Sequence, residues 1–176
     1  MIRFVTAISL AITALCATSA AAQTLSPECQ AMMDAGAKQF SVPSHAFMTS
    51  TGISAALTQS EMINVNGVTY AMVNGTWMKS PVSVEQLIQQ GQAQVASAKS
   101  HTCQLMPDET VDGVAATVYT SHTETATGVT DSRVWIAKAT GLPLKSEIDM
   151  TMGARKSHTS VRYEYNNVIA PPGVKD

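Results

Sequence analysis

The sequence predicts an α+β domain: a curled antiparallel sheet of about eight or nine strands, covered by two or three helices. Three observations carry this reading. Asn66-Gly67 and Asn74-Gly75 punctuate short β-compatible runs, and Asn-Gly is the pair best suited to a two-residue type I′ hairpin. From His101 to about residue 169, apolar and polar residues alternate as in strands buried on one side. Two segments, following Ser26 and Ser83, have apolar residues at helical spacing instead.

Ahead of these elements lies an export signal. Arg3 supplies a short positive region, residues 4–17 are uncharged and mostly apolar, and Ala20, Ala21 and Ala22 are small residues of the kind read at a cleavage site. The apolar run is shorter than the roughly 20 residues that span a bilayer, so a cleaved signal peptide over 1–22 is expected. Cys16 directly follows Leu15, with Thr13 three positions back, which does not fit a lipid-attachment site. The expected product is a soluble periplasmic protein with no integral membrane segment, a single domain over 23–176. Taking 22 from 176 leaves 154 residues, enough for one domain with a real core.

Without Arg3, 10 of the 11 basic residues remain against 13 acidic ones, a net charge of −3. With no basic stripe, a nucleic-acid partner is not expected. Cys29 and Cys103 are the two cysteines left after cleavage. In an oxidising compartment an even count favours a disulfide, with two unpaired buried thiols as the alternative. Such a bond would close a loop worth on the order of 4 kcal/mol in the chain-entropy picture.

In chain order, the first helix opens with Ser26 as N-cap and Pro27 at the first helical position. Leu25, Cys29, Met32, Met33, Ala37 and Phe40 form its apolar side, and Pro43 ends it. A short strand over 45–51 follows. The two Asn-Gly turns then set a three-stranded meander in which Val65 faces Val68 and Val73 faces Thr76. Alternation gathers Ile63, Val65, Val68, Tyr70, Met72 and Trp77 on one face, with Glu61 and Lys79 at its ends. Met62, Asn64, Thr69, Ala71, Val73, Thr76 and Met78 take the other. The first face is the more apolar and is expected to point inward.

The second helix is expected over 83–99, capped by Ser83, with Glu85 in the first turn and a thin stripe of Val84, Leu87, Ile88, Val95 and Ala98. Strands are expected at roughly 102–107, 113–122, 129–138, 143–152 and 156–169. Pro171, Pro172 and Gly173 end the domain. A sheet of this size curls, and the two helices are its natural cover.

Catalytic signatures are missing. There is no G-x-S-x-G, H-E-x-x-H, C-x-x-C or glycine-rich phosphate loop, so no catalytic residue, cofactor or enzymatic activity is expected. His45, His101, His122 and His158 are far apart in sequence. His101 and Cys103 alone do not make a zinc site, and no native metal site is expected. The alternating Lys145, Glu147 and Asp149, like Arg162 and Glu164, read as a solvated strand face. The 10 methionines lack the clustering of a copper site and read as adaptable packing or binding surface.

Val134, Trp135 and Ile136, followed by Thr140, Gly141, Leu142, Pro143 and Leu144, resemble the strand–turn–strand signature of LolA/LolB-like periplasmic proteins, the outer-membrane lipoprotein carrier superfamily. The closing strand with Val161, Tyr163 and Tyr165, and the earlier Asn74, Gly75, Thr76 and Trp77, are similar to elements of that group. The chain resembles a divergent member, with no arginine between Arg3 and Arg133. The resemblance implies an incomplete β-barrel around an apolar cavity that takes lipid or acyl chains. On that basis Ile63, Tyr70, Met72, Trp77, Val134, Ile136, Ile148 and Met150 are the expected cavity wall, and a binding or carrier protein for an apolar ligand is the expected function. The alternative is a non-catalytic structural or interaction module that meets a protein partner in the cell envelope.

Overall fold

The computed structural model describes residues 25–52, 59–73 and 75–174. The expected signal peptide over 1–22, and Asn74 in the second hairpin, lie outside the described residues.

Helix α1 runs over Pro27–Phe40. Ser26 caps it by accepting a hydrogen bond from the Cys29 backbone N–H, as the sequence requires. Strands β1 (Ser44–Thr51), β2 (Gln59–Val65), β3 (Val68–Val73) and β4 (Thr76–Lys79) form a meander. Asn66 at φ 53° and Gly67 at φ 74° give the first hairpin the two positive φ values of a type I′ turn. Helix α2 (Val84–Ala96) starts with a full capping box between Ser83 and Gln86. A second meander follows: β5 (Ser100–Val111), β6 (Val114–Glu124), β7 (Val129–Ala137), β8 (Pro143–Met152) and β9 (Arg155–Glu164).

The nine strands make one antiparallel sheet in the order β4-β3-β2-β1-β9-β8-β7-β6-β5. The two meanders meet where β1 pairs with β9. Strands β4 and β5 are the open edges, and α2 lies in the connection between them. The barrel is therefore incomplete, as expected.

Cross-strand partners put their side chains on the same side of a sheet, so the register assigns every residue to one of two faces. On one face, Cys103 of β5 is disulfide-bonded to Cys29 near the start of α1, with Cα atoms 5.2 Å apart. On that same face, Asn64 of β2 donates to the carbonyls of Phe40, the last residue of α1, and Val42 just past it. In a flat sheet the six strand spacings from β5 to β2 would measure about 29 Å. The helical rise from Cys29 to Phe40 is only about 16 Å. The sheet curls around α1, and this is its helix face.

Three expectations need correction. First, α1 packs on β5, β6 and β8, whereas α2 buries no side chain completely. Its apolar stripe is thin and interrupted by Gly91, and α2 serves as the connection from β4 to β5. Second, β5 continues to Val111 beyond Pro107, with a bulge between Met106 and Glu109. Proline is tolerated there because an edge strand leaves N–H positions unpaired. Third, the meander face carrying Ile63 and Val65 is not the one under α1. It is the outer face. Those two residues are buried, and Ile63 lies beneath residues 166–172. That segment leaves the sheet because β9 ends at Glu164, not near residue 169. Asn167 turns the chain back at φ 55°.

Candidate functional site

The helix face is built from alternate residues of all nine strands. Its interior is small and mostly polar across β1, β2, β3, β8 and β9. Ser44, Ala46, Asn64, Thr69 and Ser146 are buried there together with Val161. Asn64 uses both amide hydrogens on the α1 terminus, yet its Oδ1 and the Oγ1 of its cross-strand partner Thr69 have no hydrogen-bond partner among the described residues. Tyr163 packs on the same face with its hydroxyl 3.4 Å from Ser146 Oγ, and burial pushes its phenol above the usual value while that contact opposes the shift.

Elsewhere the helix face mixes serine and threonine side chains, among them Ser60, Thr76, Thr130, Ser132 and Ser157, with large apolar ones. Seven large apolar side chains are exposed among the described residues. The register places five of them, Val73, Met78, Leu105, Met150 and Met152, on the helix face. Met48, Met62, Val134 and Ile148 are half-buried on the same face. Between α1 and β6–β7 lies an open cavity of about 360 Å³ lined by Ala31, Ala35, Tyr119 and Ile136, with Lys38 at its border. Lys38 Nζ is itself held by the carbonyl of Thr140.

The expected cavity wall is thereby divided. Val134, Ile136, Ile148 and Met150 belong to the helix face. Ile63, Tyr70, Met72 and Trp77 belong to the outer face. Of this second group, Ile63, Met72 and Trp77 line a separate pocket of about 370 Å³ under the C-terminal segment, together with His45, Glu61 and Glu164. The eight residues do not line one cavity. Sequence reasoning missed Met62 and Met78 because it turns the opposite meander face inward, and it gives Met48 of β1 no face.

Farther along the outer face, Ala116, Val118 and Trp135 form a buried apolar cluster with Met106 and Val111 against it, and charged side chains surround that cluster. His122 pairs with Asp131 at 2.6 Å and His158 with Asp149 at 2.9 Å, in one cross-strand row. Lys145 pairs with Glu147, and Arg162 with Glu164, which is the solvated face expected. Trp135 is sandwiched there between Arg133 and Lys145 and donates from Nε1 to Glu109 at 2.7 Å. The bulge in β5 swings the hairpin tip over this face, so that Glu109 reaches past β6 to β7.

One cluster joins residues that sequence spacing kept apart. Cys29, Cys103 and His101 have their sulfur and nitrogen atoms within 4.8 Å of one another. His101 Nδ1 lies 2.8 Å from Thr123 Oγ1 and Nε2 lies 3.5 Å from Cys103 Sγ. Burial holds the imidazole below its usual pKa.

No protein-family model matches the chain, and no curated protein matches its sequence. Among solved structures, the Mycobacterium tuberculosis lipoprotein LppX is similar at 16% identity, over 81% of this chain and 95% of that one, with a TM-score of 0.47.

Proposed function

We propose that the chain is a non-catalytic carrier that binds an apolar ligand, a lipid or acyl chain, on the curled-in helix face of its sheet. One observation carries this reading: five of the seven most exposed large apolar side chains sit on that face. Each methylene that an acyl chain buried there would gain about 0.8 kcal/mol. Three of the five are methionines, whose unbranched thioethers adapt to ligands of varied shape. The LolA/LolB-like motif around Trp135 and Pro143 supports the same reading. The N-terminal sequence and the disulfide support a periplasmic place of action. Among the described residues no helix is long and apolar enough to cross a membrane.

Native mass spectrometry of protein purified without detergent tests the proposal, followed by titration with a fluorescent fatty acid. A co-purifying lipid mass, or saturable uptake displaced by unlabelled fatty acid, is the expected result. A clean apo mass with no uptake refutes it and leaves the exposed apolar side chains as a docking surface for an envelope protein.

A further inference from the structure

We propose that Cys29, Cys103 and His101 form a binding site for a thiophilic cation, Zn²⁺ or Cu⁺, when the disulfide is reduced. The sequence offers only His101 and Cys103 as neighbours. The fold adds Cys29 from the start of α1, and the three ligand atoms converge within 4.8 Å. Thiolate and imidazole are the donor types that these cations select.

The geometry between the two β5 ligands already suits a metal. Zinc–sulfur and zinc–nitrogen bonds of about 2.3 and 2.0–2.1 Å at a tetrahedral angle put the two donors about 3.6 Å apart. His101 Nε2 stands 3.5 Å from Cys103 Sγ. The other ring nitrogen is anchored: with Nδ1–H donating to Thr123 Oγ1 at 2.8 Å, the Nε2 lone pair faces the sulfurs. A fixed second hydrogen bond of this kind commonly orients a metal-binding histidine. Thr123 is itself buried and held in β6 opposite His101, so the anchor is rigid. Three protein ligands leave the fourth position of a tetrahedral ion open.

Reduction requires an external dithiol. The Cys29–Cys103 S–S bond breaks, the two S–H bonds of the dithiol break, and the dithiol's own disulfide forms. The two electrons and two protons pass to the sulfurs of Cys29 and Cys103. The metal then displaces both thiol protons and binds two thiolates with neutral His101. Disulfide and metal are thus alternative fastenings between α1 and the β5 edge, and the same face keeps its helix in both states.

The test uses a chain carrying Cys16→Ser, so that Cys29 and Cys103 are its only thiols. The chain is reduced, freed of reductant under argon and titrated with Co²⁺. One equivalent is expected to give thiolate-to-cobalt charge-transfer and tetrahedral d–d bands, displaced stoichiometrically by Zn²⁺. His101→Ala should abolish the tetrahedral bands, and Thr123→Val should weaken binding roughly tenfold. If reduction alone unfolds the chain, one equivalent of Zn²⁺ should restore its folded circular dichroism. The inference is overturned by a reduced chain that takes up no Co²⁺, by Zn²⁺ that fails to refold an unfolded reduced chain, or by a His101→Ala chain with unchanged spectrum and affinity. None of these outcomes depends on whether the helix face binds lipid.

Discussion

Asn64→Asp should be among the most damaging isosteric changes in this protein, and its cost should depend steeply on pH. Asn64 is 2% exposed and donates its two amide hydrogens to the carbonyls of Phe40 and Val42. These carbonyls lie at and just past the end of α1, where backbone acceptors have no helical partner. A carboxylate in that position would turn lone pairs towards lone pairs and bury an unpaired charge. The cheaper state is the protonated acid, which can donate to one carbonyl and abandons the other, at about 1–3 kcal/mol. Protonation at pH 7 of a group whose unfolded pKa is about 3.9 adds about 4 kcal/mol. The folded pKa is raised, so the unfolded state holds fewer protons than the folded one above pH 3.9, and stability falls as pH rises. The penalty should grow by about 2.7 kcal/mol between pH 5 and pH 7, at about 1.36 kcal/mol per unit. Asn64→Ala abandons both carbonyls but adds no titrating group, so its cost should stay constant. Urea unfolding of both variants and the parent at pH 5, 6 and 7 measures this. An Asn64→Asp penalty that is the same at all three values would mean that the side chain meets water, and that α1 is not seated on β2 as described.

Three further outcomes follow from the same structure. Met78→Glu and Met150→Glu, at positions 55% and 36% exposed, should change stability by no more than about 0.5 kcal/mol yet weaken fatty-acid uptake at least tenfold. Val114→Glu, 40% exposed on the outer face, should leave uptake unchanged, and equal loss in all three would remove the helix face as the site. Tyr163 and Tyr165 are pushed above the usual phenol value, in both cases mainly by burial, and Tyr165 donates to the Pro143 carbonyl at 2.6 Å. Their unfolded phenols release protons near pH 10 while the folded ones hold them, so stability should drop as pH rises past that value. The excess slope over a Tyr163→Phe/Tyr165→Phe chain, followed by urea unfolding, is the readout, and no excess would refute the assignment. Cys29→Ala/Cys103→Ala removes a bond across 74 positions and should cost about 4 kcal/mol. It should also raise the urea m-value by releasing the unfolded chain, and a loss below about 1 kcal/mol would show that α1 is held mainly by its other contacts.

Much of the fold was legible because its local signals agree with one another. Ser26 with Pro27, and Ser83, cap helices where they should. The Asn66-Gly67 turn sets Val65 against Val68 and Ile63 against Tyr70, as the hairpin rule requires. The errors arose where a tertiary partner outranks a local cue. Pro107 reads as a strand end, but on an open edge it merely accompanies a bulge. The β-compatible Val168 and Ile169 invite β9 to continue, but Asn167 adopts a positive φ and the chain turns back over the outer face.

The site was harder to read for a reason of symmetry. Alternation states which residues share a face and never which face the helix covers, and a one-residue change of parity moves a whole strand to the other side. Apolarity was used to choose the inward face of the first meander, and it favoured Ile63, Val65 and Trp77. That choice assumes that only helices can cover apolar side chains. Here residues 166–172 cover the outer face instead, while the face under α1 is buried by polar anchoring through Asn64. Ile148 and Met150 share a face with the expected cavity and lie on the helix face, whereas Met62 and Met78 fall on the meander face not expected to point inward. A long-range tie decides the parity. Cys103 bonds to α1 through the disulfide, and Asn64 bonds to its far end; once these two are known to share a face, every other residue of the sheet follows by counting. The disulfide was expected from composition alone, so the sequence held half of that tie. The other half, a buried asparagine whose partners are backbone carbonyls, leaves no pattern that spacing or hydropathy can reveal.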